Sequence, residues 1–170
     1  MIKSIALTNF KAYEDEVFNI APLTLIAGIN GMGKSSILQS LLMLRQSYDV
    51  DYLNKDEKQI RLNGHFVNME NSNVLCNTMA ADRTVVVSVE TEKGNHTWSI
   101  DAQDPGETTP SCTYEGNDYK TMSLFSNSME FLTAERVGPR SEYRVQSDKA
   151  YNTKLGVQGE LTPAYLYKSM

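Results

Sequence analysis

Residues 28–35 read Gly28-Ile29-Asn30-Gly31-Met32-Gly33-Lys34-Ser35 and fit G-x-x-x-x-G-K-[ST] at every fixed position. No other run constrains the chain as tightly, because this motif needs a strand before it, a helix after it and a polyanion between them. Both flanks agree with that demand. Leu23-Thr24-Leu25-Ile26-Ala27 is a short apolar run suited to a buried strand. Residues 34–48 place Ile37, Leu38, Leu41, Leu42, Leu44 and Tyr48 on a broad apolar helix face.

The residue types in the loop follow from the chemistry of the anion. A triphosphate carries several charges and little apolar surface to grip. Consecutive main-chain N–H groups curled around it supply donors. Gly28, Gly31 and Gly33 let the backbone come close and take positive φ, with Asn30 between them. The helix that follows points its positive end at the same place. Lys34 then reaches the β- and γ-phosphates, in a binding and a catalytic role, and the Ser35 hydroxyl is offered to Mg²⁺. Ser36 adds a hydroxyl for a nearer phosphate. The expected ligands are therefore ATP and Mg²⁺. The alternative is an ordinary glycine-rich turn before a helix.

Composition narrows the setting. The 170 residues are 41% apolar and 22% charged, as in a soluble globular chain of one domain. No apolar run approaches the roughly 20 residues of a membrane helix, and the N-terminus lacks a signal peptide's apolar core. A cytoplasmic address and no membrane partner are expected. Cys76 and Cys112, with His65 and His96, give no zinc spacing and no disulfide framework. The formal charge of −5 argues against a surface that grips nucleic acid everywhere.

Along the rest of the chain, residues 2–10 and 16–20 read as strands around a polar turn. Residues 60–67 suggest a short strand pair, and residues 83–101 an antiparallel hairpin turning at Glu92-Lys93-Gly94-Asn95. Residues 103–110, with two prolines and a glycine, are expected to form a mobile loop. Residues 129–134 read as another strand, and a helix begins near Thr162-Pro163. Trp98 is expected to pack on one strand face.

The inner Asn30-Gly31-x-Gly33-Lys34-Ser35 resembles the loop of ABC-type ATPases of the SMC, RecF and OLD groups. The opening Ile5-Ala6-Leu7-Thr8-Asn9-Phe10-Lys11-Ala12-Tyr13 is similar to their first strand and its Asn-Phe-basic-small-aromatic turn. Three further segments, residues 60–67, 131–140 and 155–160, resemble a branch of prokaryotic AAA-type ATPases found in anti-phage defence, such as those of Septu and retron-linked systems. The resemblance covers most of the chain in scattered blocks.

It implies an α/β (α+β) P-loop NTPase fold, namely the first lobe of an ABC-type ATPase head. That lobe has a β-rich N-terminal part and one long helix after the phosphate loop. Residues 1–170 would then be a partial head, with a β-rich insertion at about 49–128 and a Q-loop-like region at about 129–160. Lys11 and Tyr13 become candidates for nucleotide contact, against a solvated turn lysine and a partly buried aromatic. Glu135 becomes a catalytic candidate at a strand end near Mg²⁺, against a plain salt bridge, and Gln158 a weaker one. Heads of this kind self-associate around two nucleotides. A nuclease partner and DNA are implied as well, and Arg136, Arg140, Arg144 and Lys149 form a cationic cluster for phosphates or partner carboxylates.

Several ATPase parts are missing from the sequence. The nearest approach to a Walker B strand, Val85-Val86-Val87-Ser88-Val89-Glu90, lacks the Asp and turns back into a hairpin. No Leu-Ser-Gly-Gly signature and no late switch histidine follow. The expectation is the front part of a longer ATPase, slow or inactive by itself because the transferring phosphoryl lacks most of its stabilisers. Two other readings remain open: a complete small P-loop phosphotransferase (a kinase), and a non-catalytic nucleotide-sensing fragment.

Overall fold

The computed structural model describes residues 1–134, Glu142 and residues 155–169. Its main feature is a five-stranded antiparallel sheet in the order β2-β1-β3-β4-β5. The strands are β1 (Ile2–Phe10), β2 (Tyr13–Asn19), β3 (Thr84–Thr91), β4 (Gly94–Asp101) and β5 (Cys112–Gly116). Among the described residues the α-helices are α1 (Lys34–Asp49), the single turn α2 (Ser72–Leu75) and α3 (Thr162–Ser169). The fold is thus mixed α/β, as expected, and β5 is a strand the pattern of residues did not reveal.

Period-two patterning explains the sheet's two faces. The register sets Ile5 beside Val89 and Leu7 beside Val87. It also sets Val87 beside Trp98, and Val85 beside Ile100. All of these side chains are buried on one face. The other face carries small polar residues, with Ser88 Oγ 2.9 Å from Thr97 Oγ1. The 84–101 hairpin forms as predicted, and its antiparallel return confirms that residues 85–90 do not join a parallel sheet.

The chain divides into two compact units, Met1–Phe125 and Ser126–Met170. In the first, α1 is buried on nearly all sides over residues 42–47. The expected single apolar face is therefore only part of its packing. Its polar residues are used as clasps. Gln46 Nε2 donates to Arg61 O at 2.7 Å, and Gln46 Oε1 accepts from Val67 N at 3.1 Å. Ser47 Oγ accepts from Arg61 N at 2.8 Å, while Arg45 holds Asp49 at 2.9 Å and Leu124 O at 2.9 Å. The Gln46 and Ser47 bonds satisfy backbone groups of the irregular segment 61–67, which makes no ladder of its own.

Four local expectations are corrected. Residues 23–27 form no strand, and Leu23 and Leu25 are 90% and 89% exposed. An apolar run becomes a buried strand only where neighbours pair with it, and no described strand does. Residues 60–67 make only an isolated bridge, Asn63 to Asn68, rather than a strand pair. Residues 103–110 lack regular structure but are tied down: Thr108 O and Pro110 O accept from Leu62 N and Ile60 N, and Glu107 O and Pro105 O accept from Ser72 N and Asn73 N. In the second unit, residues 129–134 form no strand. Thr133 N donates to Val157 O at 2.8 Å, without a ladder. The predicted terminal helix is present as α3. No described helix is long and apolar enough to cross a membrane.

Candidate functional site

The site begins in the turn between β1 and β2. Asn9 and Lys11 take φ of 55° and 50°, a region that asparagine tolerates better than most residues. Asn9 Nδ2 donates to Thr84 O at 3.1 Å, and Asn9 O accepts from Asn77 N at 2.9 Å. Lys11 N donates to Leu75 O at 2.9 Å. The hairpin tip is thus fixed to the end of α2 and the start of β3. Phe10 beneath it is fully buried.

That tip carries Ala12 and Tyr13 to the glycine-rich loop. A Cβ placed on Gly33 would stand 2.9 Å from both Tyr13 Cζ and its phenolic oxygen, and 3.3 Å from Ala12 Cβ. Gly33 also has φ 83° and ψ 0° and is the N-cap of α1. The left-handed backbone favours glycine here, and a side chain would in addition have to push the Tyr13 ring aside. The Tyr13 ring meets Phe18 edge-on at 5.1 Å. Burial, then the charge of Glu16, pushes its phenol pKa up, so it stays neutral.

The loop itself is a turn. Met32 N donates to Ile29 O at 3.4 Å, with Gly31 at φ 85°. No hydrogen bond among the described residues engages the main-chain amides of Asn30, Gly31 or Gly33. Lys34 Nζ folds back and donates to Gly28 O and Ile29 O, each at 2.7 Å. Its ammonium is thereby held at the loop, bridged to carbonyls that an anion can replace as partner. The first turn of α1 holds no acidic residue, so nothing there offsets the positive end of the helix dipole. Ser35 is exposed at the end of the loop, whereas Ser36 is largely buried.

Lys11 sits at the same end of α1, with its ammonium 2.7 Å from Gln39 Oε1. Burial lowers its pKa. Gln39, one turn beyond Ser35, was missed by the sequence reading. Its only signal was a polar residue within an apolar helical stretch. Glu135, Arg136, Arg140, Arg144 and Lys149 lie outside the described residues. Gln158 is an exposed turn residue whose amide donates to Glu160 Oε2 at 2.9 Å.

The unengaged loop amides, the Lys34 ammonium and the N-terminus of α1 thus gather hydrogen-bond donors and positive charge at one place, an arrangement with the chemistry to receive an anion. A family model described as AAA ATPase domain matches residues 1–150. The chain belongs to this family. Membership makes it a nucleotide-binding ATPase domain and implies the use of ATP. Neither a curated protein nor a solved structure matches the chain. Mg²⁺, the usual companion of ATP in such domains, fits Ser35, whose exposed hydroxyl ends the loop. No group of three or more His, Cys, Asp or Glu side chains is placed to hold a metal among the described residues. In this AAA ATPase domain the ion would therefore rely on Ser35 and on phosphate and water oxygens.

Proposed function

We propose that this AAA ATPase domain is the ATP-binding first lobe of an ABC/SMC-like head, working in the cytoplasm. The observation that carries the reading is the hairpin tip of β1 and β2 set against Gly33 of the phosphate loop. It joins the two sequence blocks, Asn9-Phe10-Lys11-Ala12-Tyr13 and the loop, on which the resemblance to SMC, RecF and OLD ATPases rests. In this reading the amides of residues 30–35 and Lys34 hold the polyphosphate, and Ser35 holds Mg²⁺. Ser36, Lys11 and Tyr13 line the near side of the nucleotide.

The exposed segment 23–27 supports the same reading. Its apolar alternation and lack of a pairing strand suit a strand completed by the second lobe. Hydrolysis in this scheme draws on groups that the described residues do not supply, and on association of two heads. Action beside a nuclease or on DNA, in phage defence or DNA maintenance, extends the proposal by the resemblance of residues 131–140 and 155–160. The phosphotransferase alternative is less well supported, because such kinases alternate strands and helices around a parallel sheet and the described sheet is antiparallel throughout.

The test pairs binding with turnover. ATP with Mg²⁺ is titrated against the wild type and Lys34→Ala, and phosphate release is then followed. Binding that requires Lys34, with very slow release, supports the proposal. Rapid turnover or phosphate transfer by this chain alone contradicts it.

A further inference from the structure

The sequence contains two Asn-Gly pairs, Asn30-Gly31 and Asn63-Gly64. This dipeptide is the one most open to spontaneous loss of the asparagine amide, since glycine puts no side chain in the way of its own nitrogen. We infer that Asn30 is a deamidation site of the folded protein, that Asn63 is protected, and that the occupant of the phosphate loop sets the rate at Asn30.

The step needs a free glycine amide and a mobile side chain. The Gly31 nitrogen loses its proton to base and attacks Asn30 Cγ. The new N–Cγ bond expels Nδ2 as ammonia and leaves a five-membered succinimide. Water opens either carbonyl of that ring and yields aspartate or isoaspartate at position 30.

At Asn30 neither the attacking nitrogen nor the side chain is engaged by a described residue. Asn30 and Gly31 are the central pair of the turn closed by Met32 N and Ile29 O, and the central amide of such a turn takes no part in closing it. Neither that amide nor the Asn30 side chain has a hydrogen-bond partner among the described residues. Both residues are exposed, and a Cβ on Gly31 would meet nothing within 4 Å.

Asn63 is the opposite case. Its Nδ2 donates to Glu70 O at 2.8 Å, and its Oδ1 accepts from Met69 N at 3.1 Å. Gly64 N donates to Val67 O at 2.9 Å, and a Cβ on Gly64 would lie 2.8 Å from Gln46 Oε1. Attack there requires the segment to open first.

Conversion at Asn30 adds a carboxylate to a loop that gathers donors for an anion, and isoaspartate also lengthens the backbone by one carbon. Either product weakens polyphosphate binding. This consequence, and protection by ATP, rest on the proposed function. The deamidation itself does not.

The test is incubation of the full chain at mildly alkaline pH, with peptide mapping of the Asn-to-Asp mass change at both sites. In the folded protein Asn30 should convert at least about tenfold faster than Asn63, because only Asn63 needs a local opening. In denaturant the two should convert at similar rates. Equal rates in the folded protein, or the same preference for Asn30 in denaturant, would overturn the inference. Mg²⁺–ATP at about ten times its Kd should slow Asn30 about tenfold, in proportion to the unbound fraction. Fast conversion at Asn30 that ATP leaves unchanged would uphold the deamidation site and contradict the proposed function.

Discussion

The Tyr13 ring lies so close to Gly33 that a single added carbon on the glycine would come within 2.9 Å of its Cζ and hydroxyl oxygen. A residue at the start of a strand thus limits the shape of a loop twenty positions later.

Gly33→Ala should damage the loop twice. The left-handed backbone costs an alanine about 1–2 kcal/mol, and the new methyl displaces Tyr13. Calorimetry should show ATP affinity falling at least about tenfold, since each 1.4 kcal/mol is a factor of ten. In the double variant with Tyr13→Ala the loss should be smaller than the sum of the two single losses, because the steric component of Gly33→Ala is gone once the ring is removed. Strict additivity of the two changes would argue against the contact.

Gln46 is 3% exposed and satisfies two backbone groups of the 61–67 segment. Gln46→Ala leaves both without a partner, at about 1–3 kcal/mol for each buried group that stays unsatisfied. Urea unfolding should show a stability loss of at least about 2 kcal/mol. A loss within about 0.5 kcal/mol, typical of a surface change, would mean that these bonds do not anchor α1.

Leu23 and Leu25 contribute nothing to the described core. Both are almost fully exposed, so Leu23→Lys with Leu25→Lys should shift the stability of this chain by no more than about 0.5 kcal/mol. Sedimentation should show less self-association. A loss of several kcal/mol would place these side chains in a core.

His96 predicts an acid limb in the stability curve. It is 1% exposed, with Nδ1 2.7 Å from the Tyr114 oxygen, and Tyr114 in turn donates to Asn117 O. Burial lowers its pKa, outweighing the opposing influence of Asn117 and Asp118. A lowered folded pKa means that the unfolded chain binds the proton more readily. Stability is therefore full above the unfolded value of about 6.5 and falls as the pH drops below it, by at most about 1.4 kcal/mol per pH unit. Unfolding midpoints measured across this range should show the limb, and His96→Gln should flatten it there.

What the sequence disclosed depended on how local each cause is. The turn at residues 28–33 and the helix after it were legible because Gly28, Gly31 and Gly33 mark positive-φ positions and the apolar spacing begins directly behind them. The 84–101 hairpin was legible because β-branched alternation and a Glu92-Lys93 turn closed by Gly94 act within a few residues. Burial of residues 23–27 was misjudged because burial belongs to a pairing partner, not to Leu23 or Leu25 themselves. Residues 103–110 looked mobile because proline and glycine mark irregular backbone, yet distant amides at Ile60, Leu62, Ser72 and Asn73 hold it. The clasps at Arg45, Gln46 and Ser47 escaped notice because a search for an apolar helix face passes over polar residues buried for their hydrogen bonds.

Hydrogen exchange tests the central claim most directly, because it reads the main-chain amides said to wrap the polyphosphate. Adding Mg²⁺–ATP to the wild type should slow exchange in peptides covering residues 28–37, and Lys34→Ala should remove most of that protection. Bound ATP with no slowing in this segment, or equal protection without Lys34, would contradict the account.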